Sequence, residues 1–456
     1  MKRFFSSIVL ASAAAVTFAG GLLTNTNQSA SFVRNPARFA SLSTDAIYFN
    51  PAGTAFFNDG WSFSANWQMI WQQRDAISIK HTVGGKTPLT EKYDGKVYVP
   101  CMPTLFAAYK TGDWTFSGFF GMPGGGGKAE FNNGLPSFDN LIGSLGTKLN
   151  LPIALQGASQ FESTQYLFSL QLGAAYRINE NLSAYAGVRT NYISNNYKGT
   201  IMANSAFGAG VQNIATIDLD MDQSGIAFAP IVGLDYKVGN FNFAAKYECR
   251  AVTNIENSNS NPKIADIKAN ADLDPYLAAV GLSSTAIEQM AGGALGGTLG
   301  GFADGNTLRA DAPATLTLAG SWQALPRLQV MAGWNYYFDK DAKIESLMGG
   351  DDNMRKLRRN TIEYLCGAEF KVTDKLLLSA GIQFSNFGIN DEYTSDLGFI
   401  NDSFMTGVGG MYSISEKVDI NFGYCYANYA PDHNKRTSTR YERKTHNVSV
   451  GVDFRL

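Results

Sequence analysis

From residue 61 onward the chain repeats one pattern: runs of roughly ten to fifteen residues in which apolar side chains return at every second position. In the last run, Val448, Val450, Val452, Phe454 and Leu456 share one face, while Asn447, Ser449, Gly451, Asp453 and Arg455 share the other. Successive strand side chains point to opposite faces, so such a strand is greasy on one side and polar or small on the other. The same rhythm sets Leu328, Val330, Ala332, Trp334, Tyr336 and Phe338 against Gln329, Gly333 and Asn335. It also sets Ile362, Tyr364, Cys366, Ala368 and Phe370 against Glu363, Gly367 and Glu369. No later stretch has eighteen continuous apolar residues, which excludes a membrane-spanning helix.

The connections alternate in length. Short ones fall at 110–113, 179–181, 239–240, 324–326, 373–374 and 415–416, and long polar ones at about 76–96, 122–163, 196–221, 257–311, 341–358, 389–401 and 431–443. Short turns on one rim and long loops on the other describe an outer-membrane barrel. The runs are 61–75, 97–110, 113–121, 164–178, 182–195, 222–238, 241–255, 312–323, 327–340, 359–372, 375–388, 402–414, 417–430 and 444–456, fourteen in all. A soluble sandwich or propeller would use shorter strands. It would also have no need of the aromatic cluster Tyr336, Tyr337, Phe338, Tyr424, Tyr426 and Tyr429 near the strand ends, which reads as an interfacial girdle. The expected fold is all-β: a 14-stranded antiparallel transmembrane barrel over 59–456, its lumen holding a compact, non-repeating N-terminal hatch over 20–58.

Residues 1–19 read as a cleaved export signal, with Lys2 and Arg3 ahead of an Ala-rich apolar run and small residues near Ala19. A formal net charge of −2 lacks the basic footprint of a nucleic-acid binder. Cys101, Cys249, Cys366 and Cys425 are far apart and fit no metal or redox spacing, so they read as small apolar side chains. His81, His433 and His446 sit in no recognisable nucleophile motif. The chain therefore carries no catalytic set, no metal site and no cofactor site.

Three features carry a family resemblance: the segment from Asn27-Gln28-Ser29-Ala30 to Asp45-Ala46-Ile47-Tyr48-Phe49-Asn50-Pro51-Ala52-Gly53; Val99-Pro100 leading through Phe106-Ala107-Ala108-Tyr109 to Asp113-Trp114 and on to Met122-Pro123; and the strand count. The chain resembles the long-chain fatty acid transporters of the outer membrane, a family that also includes toluene and xylene channels. A second Asn-Pro-Ala, at Asn35 to Ala37, departs from the family pattern. The resemblance implies that Asn50, Pro51, Ala52 and Gly53 form the hatch motif, at the periplasmic end. By themselves, Asn before Pro mark only a turn.

Met122, Pro123, Gly124, Gly125, Gly126 and Gly127 form the second candidate site. Proline removes a ladder donor and glycines pack nothing, so the third strand should not continue smoothly there. A flexible loop is the plain reading; the resemblance implies an inward kink that opens the wall sideways. Leu141, Ile142, Leu145 and Leu149 recur at near-helical spacing in a long loop, as Leu277, Val280 and Ala286 to Ala291 do more loosely. Mutual burial explains them as well as the capture groove that the resemblance implies. Strand parity sends Arg189, Lys246, Glu248, Arg250, Glu363 and Glu369 toward the lumen, mostly as a structural ion-pair network. Arg189, Lys198 and Arg250 are the candidate cations for a ligand carboxylate.

The expected function is passive uptake of long-chain fatty acids or similar hydrophobic molecules, by a monomer surrounded by outer-membrane lipid. A general porin is the rival reading, disfavoured by the hatch, and a barrel-embedded lipid hydrolase a more distant one.

Overall fold

The computed structural model describes residues 23–80, 89–138, 142, 153–154, 159–207, 210–258, 266–299, 302–345, 357–390, 394, 396, 400–435 and 437–456. The proposed export signal lies outside them. Fourteen long strands each pair antiparallel with their sequence neighbour. They are β1 (Gly60–Lys80), β2 (Leu89–Thr111), β3 (Trp114–Phe131), β4 (Gln160–Arg177), β5 (Leu182–Phe207), β6 (Gly210–Val238) and β7 (Phe241–Glu248). The second half is β8 (Thr315–Leu325), β9 (Leu328–Tyr337), β10 (Thr361–Lys371), β11 (Leu376–Asn386), β12 (Ser403–Ser415), β13 (Val418–Tyr429) and β14 (Thr439–Arg455). The cylinder closes where β1 pairs with β14, from Ser62 opposite Arg455 to Ser78 opposite Thr439. Closure leaves the cylinder with no terminal edge strand.

The wall follows the alternation in the sequence. On the outer face, Trp61, Tyr109, Trp114, Tyr176 and Trp322 are exposed near the short-turn rim, and Trp71, Tyr98, Tyr192, Tyr364 and Tyr424 nearer the long-loop rim. Tyr337 and Tyr429 depart from the expected girdle: both are buried and face inward, and the Tyr337 hydroxyl donates to Glu363 Oε2 at 2.8 Å. Strands β5 and β6 run far beyond the expected 182–195 and 222–238. Above the hydrocarbon band no lipid demands an apolar outer face, so the strands continue there without the alternating signal.

Residues 23–57 fill the lumen. Helix α1 (Ala30–Arg34) is capped by Ser29, whose hydroxyl accepts from the Phe32 amide. It ends at Asn35, which Pro36 biases to an extended conformation. Helix α2 (Ala46–Phe49) leads into a 3-10 turn at Pro51–Phe56. Phe32 stacks on Phe49 at 4.7 Å, with Phe39 edge-on to both. The wall beneath α1 is made of glycine: a β-carbon at Gly407 or Gly423 would strike the helix backbone, and one at Gly367 would strike the Asn35 side chain. Gly367 lies on the polar or small face that the alternation marked, and the role of all three glycines is to let the plug approach the backbone.

Charge fixes the plug to the same wall. Glu369 Oε1 of β10 accepts from Arg34 Nη1 at 2.8 Å and from Arg38 Nη1 at 2.6 Å. Arg38 Nε also reaches Asp45 Oδ2 at 2.6 Å, and all four side chains are buried. Two guanidiniums and two carboxylates balance, the condition under which buried charge is tolerated.

Candidate functional site: the plug and the break in the wall

Asn50 to Gly53 lies at the short-turn end of the lumen, fixed to strands on one side of the barrel. Asn50 Nδ2 donates to Asp235 Oδ2 of β6 at 2.5 Å and to the Ser41 carbonyl at 3.1 Å. Pro51 opens the 3-10 turn, where its missing N–H is no loss. The Ala52 carbonyl accepts from Ser183 of β5 and the Thr54 carbonyl from Thr115 of β3. A β-carbon on Gly53 would collide with the Asn50 amide, so glycine lets that side chain fold back over the turn. Met122 to Gly127 is far from this motif in sequence, and the plug reaches it through a different segment, Asn27-Gln28.

The third strand corrects the expectation. It does not stop at Gly121 but runs on to Phe131, held by β4 through two bulges. Met122 and Pro123 together oppose one residue of β4, and Gly126 is the extra residue of the second bulge. Gly125 and Gly127 supply the positive φ values of +92° and +72° that these bends need. What stops is the bonding to β2. That ladder pairs Thr111 with Trp114 up to Leu105 with Phe120, then resumes only at Val97 with Ala129. Between these points neither Tyr98 to Thr104 nor Gly121 to Lys128 has a partner in that ladder. Prolines sit on both sides of the break: Pro123 on β3, and Pro100 and Pro103 on β2, where Pro100 and Cys101 bulge opposite Met69. Each lacks the N–H that a ladder requires.

The plug covers the break from inside. Thr104 Oγ1 of β2 donates to the Gln28 carbonyl at 2.6 Å, and Gln28 Nε2 donates to the Met122 carbonyl of β3 at 3.0 Å. Gln68 Nε2 of β1 donates to the Asn27 carbonyl at 2.6 Å. In the sequence Gln28 stands only within the resembling N-terminal segment, without a role, and neither Thr104 nor Pro103 stands out. Two prolines three residues apart in a strand run were the signal for the last.

Behind the break stands one continuous apolar cluster. It begins among the long loops with Leu277, Ile287 and Ile142, passes Phe138, Phe161, Tyr197 and Phe131, and reaches Val97, Val99, Met102 and Leu23, with Met122 packed against it. Ile142 is fully buried in this cluster, whereas Leu141, Leu145 and Leu149 lie outside the described residues.

The three candidate cations separate. Arg189 is buried in the lumen, but both its Nη1 contacts go to Glu248 at 2.8 Å, and Nη2 donates to Gln171 at 2.6 Å. Its guanidinium lies 4.4 Å from the Tyr48 ring centroid, so it supports the plug. Lys246 does likewise, donating to the Tyr48 carbonyl at 2.9 Å. Lys198 does not face the lumen. The inward residues of β5 are odd-numbered (Arg189, Asn191, Ile193, Asn195, Tyr197), and Lys198 stands outside, exposed beside Asp220 at 3.3 Å. Arg250 is also exposed, because the chain leaves the ladder after Glu248, opposite the donor-less Pro230, and Arg250 turns to the Asp341 carbonyl. Glu363 and Glu369 face the lumen and are buried. Among the described residues no cluster of three or more His, Cys, Asp or Glu is placed to hold a metal ion.

The architecture has solved counterparts. A FadL homologue from Pseudomonas aeruginosa superposes with a TM-score of 0.65 at 15% identity, over 96% of this chain and 100% of that one. The toluene transporter TodX of Pseudomonas putida gives 0.60 at 16%, over 94% and 98%. The toluene transporter TbuX of Ralstonia pickettii gives 0.54 at 15%, over 91% and 94%. At these identities the likeness concerns the fold. No curated protein sequence matches the chain. The family model for "outer membrane protein transport protein (OMPP1/FadL/TodX)" matches residues 10–454. The family consists of outer-membrane channels for hydrophobic compounds rather than enzymes. With its closed fourteen-stranded wall, its filled lumen and that match along nearly its whole length, this chain belongs to the OMPP1/FadL/TodX family of outer membrane transport proteins.

Proposed function

We propose that the protein takes up long-chain fatty acids or similar hydrophobic molecules passively, receiving them among its long loops and releasing them sideways through the β2–β3 break. The observation that carries this reading is that the apolar cluster runs from Leu277 and Ile287 down to Val99, Met102 and Met122, and ends where the ladder is interrupted. An apolar molecule gains about 25 cal/mol per Å² of surface removed from water along such a path. The straight route down the axis is filled by residues 23–57. In this reading 1–19 is a removable export signal, 20–58 is a hatch with Asn50 to Gly53 as its fixed end, and the working unit is a monomer.

A porin would use an open aqueous lumen, and the buried plug argues against it. A lipid hydrolase would need a nucleophile beside its base. His446 instead meets Tyr424 on the outer face, with 2.9 Å between Nδ1 and the hydroxyl, and His81 lies outside the described residues. Solved structures named as toluene transporters favour a hydrophobic cargo.

The test is uptake of a labelled long-chain fatty acid by cells that depend on this protein. Pro100→Val, Pro103→Val and Pro123→Thr together restore the missing ladder donors and should abolish uptake while the barrel still resists denaturation by detergent. Full uptake by that folded variant would remove the lateral route. Free ion conduction by the wild type, without saturable ligand binding, would return the porin reading.

A further inference from the structure

A second seam of the wall is interrupted and then resumes, four strands round from the first. Across it β6 pairs Asp222 with Ser258 up to Ser224 with Glu256, and then not again until Ile231 with Glu248 of β7. Between these points neither Gly225 to Pro230 nor Cys249 to Ile255 has a register partner across the seam. Six residues thus face seven, and the extra one inverts the parity of the chain. Asn242, Ala244, Lys246 and Glu248 are buried before it, and Ala251, Thr253, Ile255 and Asn257 after it. Pro230 has no N–H to offer, and its carbonyl accepts from the Cys249 N–H at 2.8 Å. Gly225 sets the upper limit, since a β-carbon there would strike the Asn254 carbonyl.

The released segment keeps its other edge. Ala251 and Ala312 exchange N–H to carbonyl bonds, both at 3.0 Å, and the Ala310 N–H donates to the Thr253 carbonyl at 2.9 Å. The arrangement repeats that of the β2–β3 break: bonds kept on one side, bonds missing on the other, and a proline at the gap. Its lining is apolar. Inside stand Ala227, Ala229, Ala251, Ala310 and Ala312, all members of the apolar cluster that descends from the loops. Outside, Ile226, Phe228 and Val252 are exposed. Thr253, the polar exception, turns its hydroxyl back to the Ala251 carbonyl at 3.3 Å. Ile226 is the register partner of Tyr192, which is exposed near the long-loop rim, so the interruption lies at the level of the outer leaflet.

We propose that this interruption is an entrance from the lipid, through which uncharged alkyl chains dissolved in the outer leaflet reach the apolar cluster. Passage from lipid to an alanine-lined wall exchanges one apolar surrounding for another, so no surface has to be taken from water. A charged head group would find no partner among these alanines and would be turned away. Unpaired backbone groups are costly in hydrocarbon, and bulged strands are over-represented beside functional sites. The inference rests on the uptake reading above and adds to it a second source of cargo.

The experiment dissolves a diazirine-bearing hexadecane in the lipid of nanodiscs that hold the full protein. Irradiation and mass spectrometry then map the labelled residues. The wild type is compared with the barrel whose first break is sealed by Pro100→Val, Pro103→Val and Pro123→Thr. Ala227, Ala229 and Ala251 should be labelled in both. Ala229→Leu/Ala251→Leu, added to the sealed barrel, fills the lining from within. Label should then be lost at Ala227 and Ala312, while Phe228 outside keeps it. Heat-modifiable gel migration reports folding, and if the leucines prevent it the sealed barrel alone still decides. Label at these alanines in the wild type but not in the sealed barrel would overturn the entrance and leave the uptake reading intact. Label that survives the leucines in a folded barrel would overturn it too. No label on the inner residues of either break in the wild type would remove both.

Discussion

Asn35 stands on Gly367: its side-chain oxygen occupies the space that a β-carbon on that glycine would need. The contact joins a residue of the plug to the wall strand β10, in a seat where Asn35 is wholly buried. Gly367→Val should therefore push the plug from its seat, at a cost of about 1–3 kcal/mol typical of overpacking. The expected result is a lower melting temperature and larger ion currents in planar bilayers. Unchanged currents would mean that the plug accommodates the methyl groups without moving.

Glu369 offers a sharper break. It is the shared acceptor of Arg34 and Arg38, and Glu369→Gln leaves two buried guanidiniums with only Asp45 as a carboxylate partner. Breaking one member of a buried ionic group costs about 3–5 kcal/mol. Protease sensitivity of residues 23–57 should rise steeply in this variant, while the barrel remains resistant.

Gln28→Ala removes the side-chain bond to Met122 but leaves the Gln28 carbonyl to Thr104. The anchor at Arg34, Arg38 and Glu369 is untouched. The variant also loses the bond from Gln28 Nε2 to the Thr26 hydroxyl, so hydrogen exchange should accelerate in residues 23–28 alone, by about tenfold or more for two lost hydrogen bonds. Faster exchange across α1 as well would show the plug to move as one body.

Asp339 follows β9 in the long-loop region, where burial pushes its carboxyl up to about 6, against Thr361 hydrogen bonds that pull it down. A raised acid favours its neutral form in the folded state. Its contribution is therefore present in full below the ordinary value of 3.8 and is lost as pH rises through about 6. The protein should melt lower at pH 7.5 than at pH 4.5, with a difference of order 2 kcal/mol from this residue. Asp339→Asn should flatten that dependence.

The barrel was legible because lipid imposes alternation: every outward position from Val448 to Phe454 must be apolar, and strand number and order follow from counting such runs. Where lipid ends the signal ends, so β5 and β6 were read far too short. Parity placed Arg189, Glu363 and Glu369 correctly inside. It was not applied to Lys198, and it failed for Arg250, where the chain had already left the ladder. The break was half visible. Pro123 and its glycines announced an irregularity, yet a bulged strand and a terminated one look alike in sequence. Only pairing with β4 on one edge and not with β2 on the other distinguishes them. Gln28 belongs to the segment that carries the resemblance, but its role is not legible there, since it depends on contacts with Met122 and Thr104, both distant in the chain.

The seat of the plug has a consequence for assembly. Arg34 and Glu369 are separated by 335 positions, and the glycines under α1 belong to β12 and β13, among the last strands of the chain. The segment that precedes every strand thus finds its resting place on strands that follow nearly all of them. Such long-range closure carries a large entropic cost before any contact rewards it, and chains of high contact order fold slowly. A half-finished sheet offers α1 no floor. Insertion of the barrel and docking of its N-terminal segment must therefore converge on one late event, and a chain lacking β12 to β14 should leave that segment homeless.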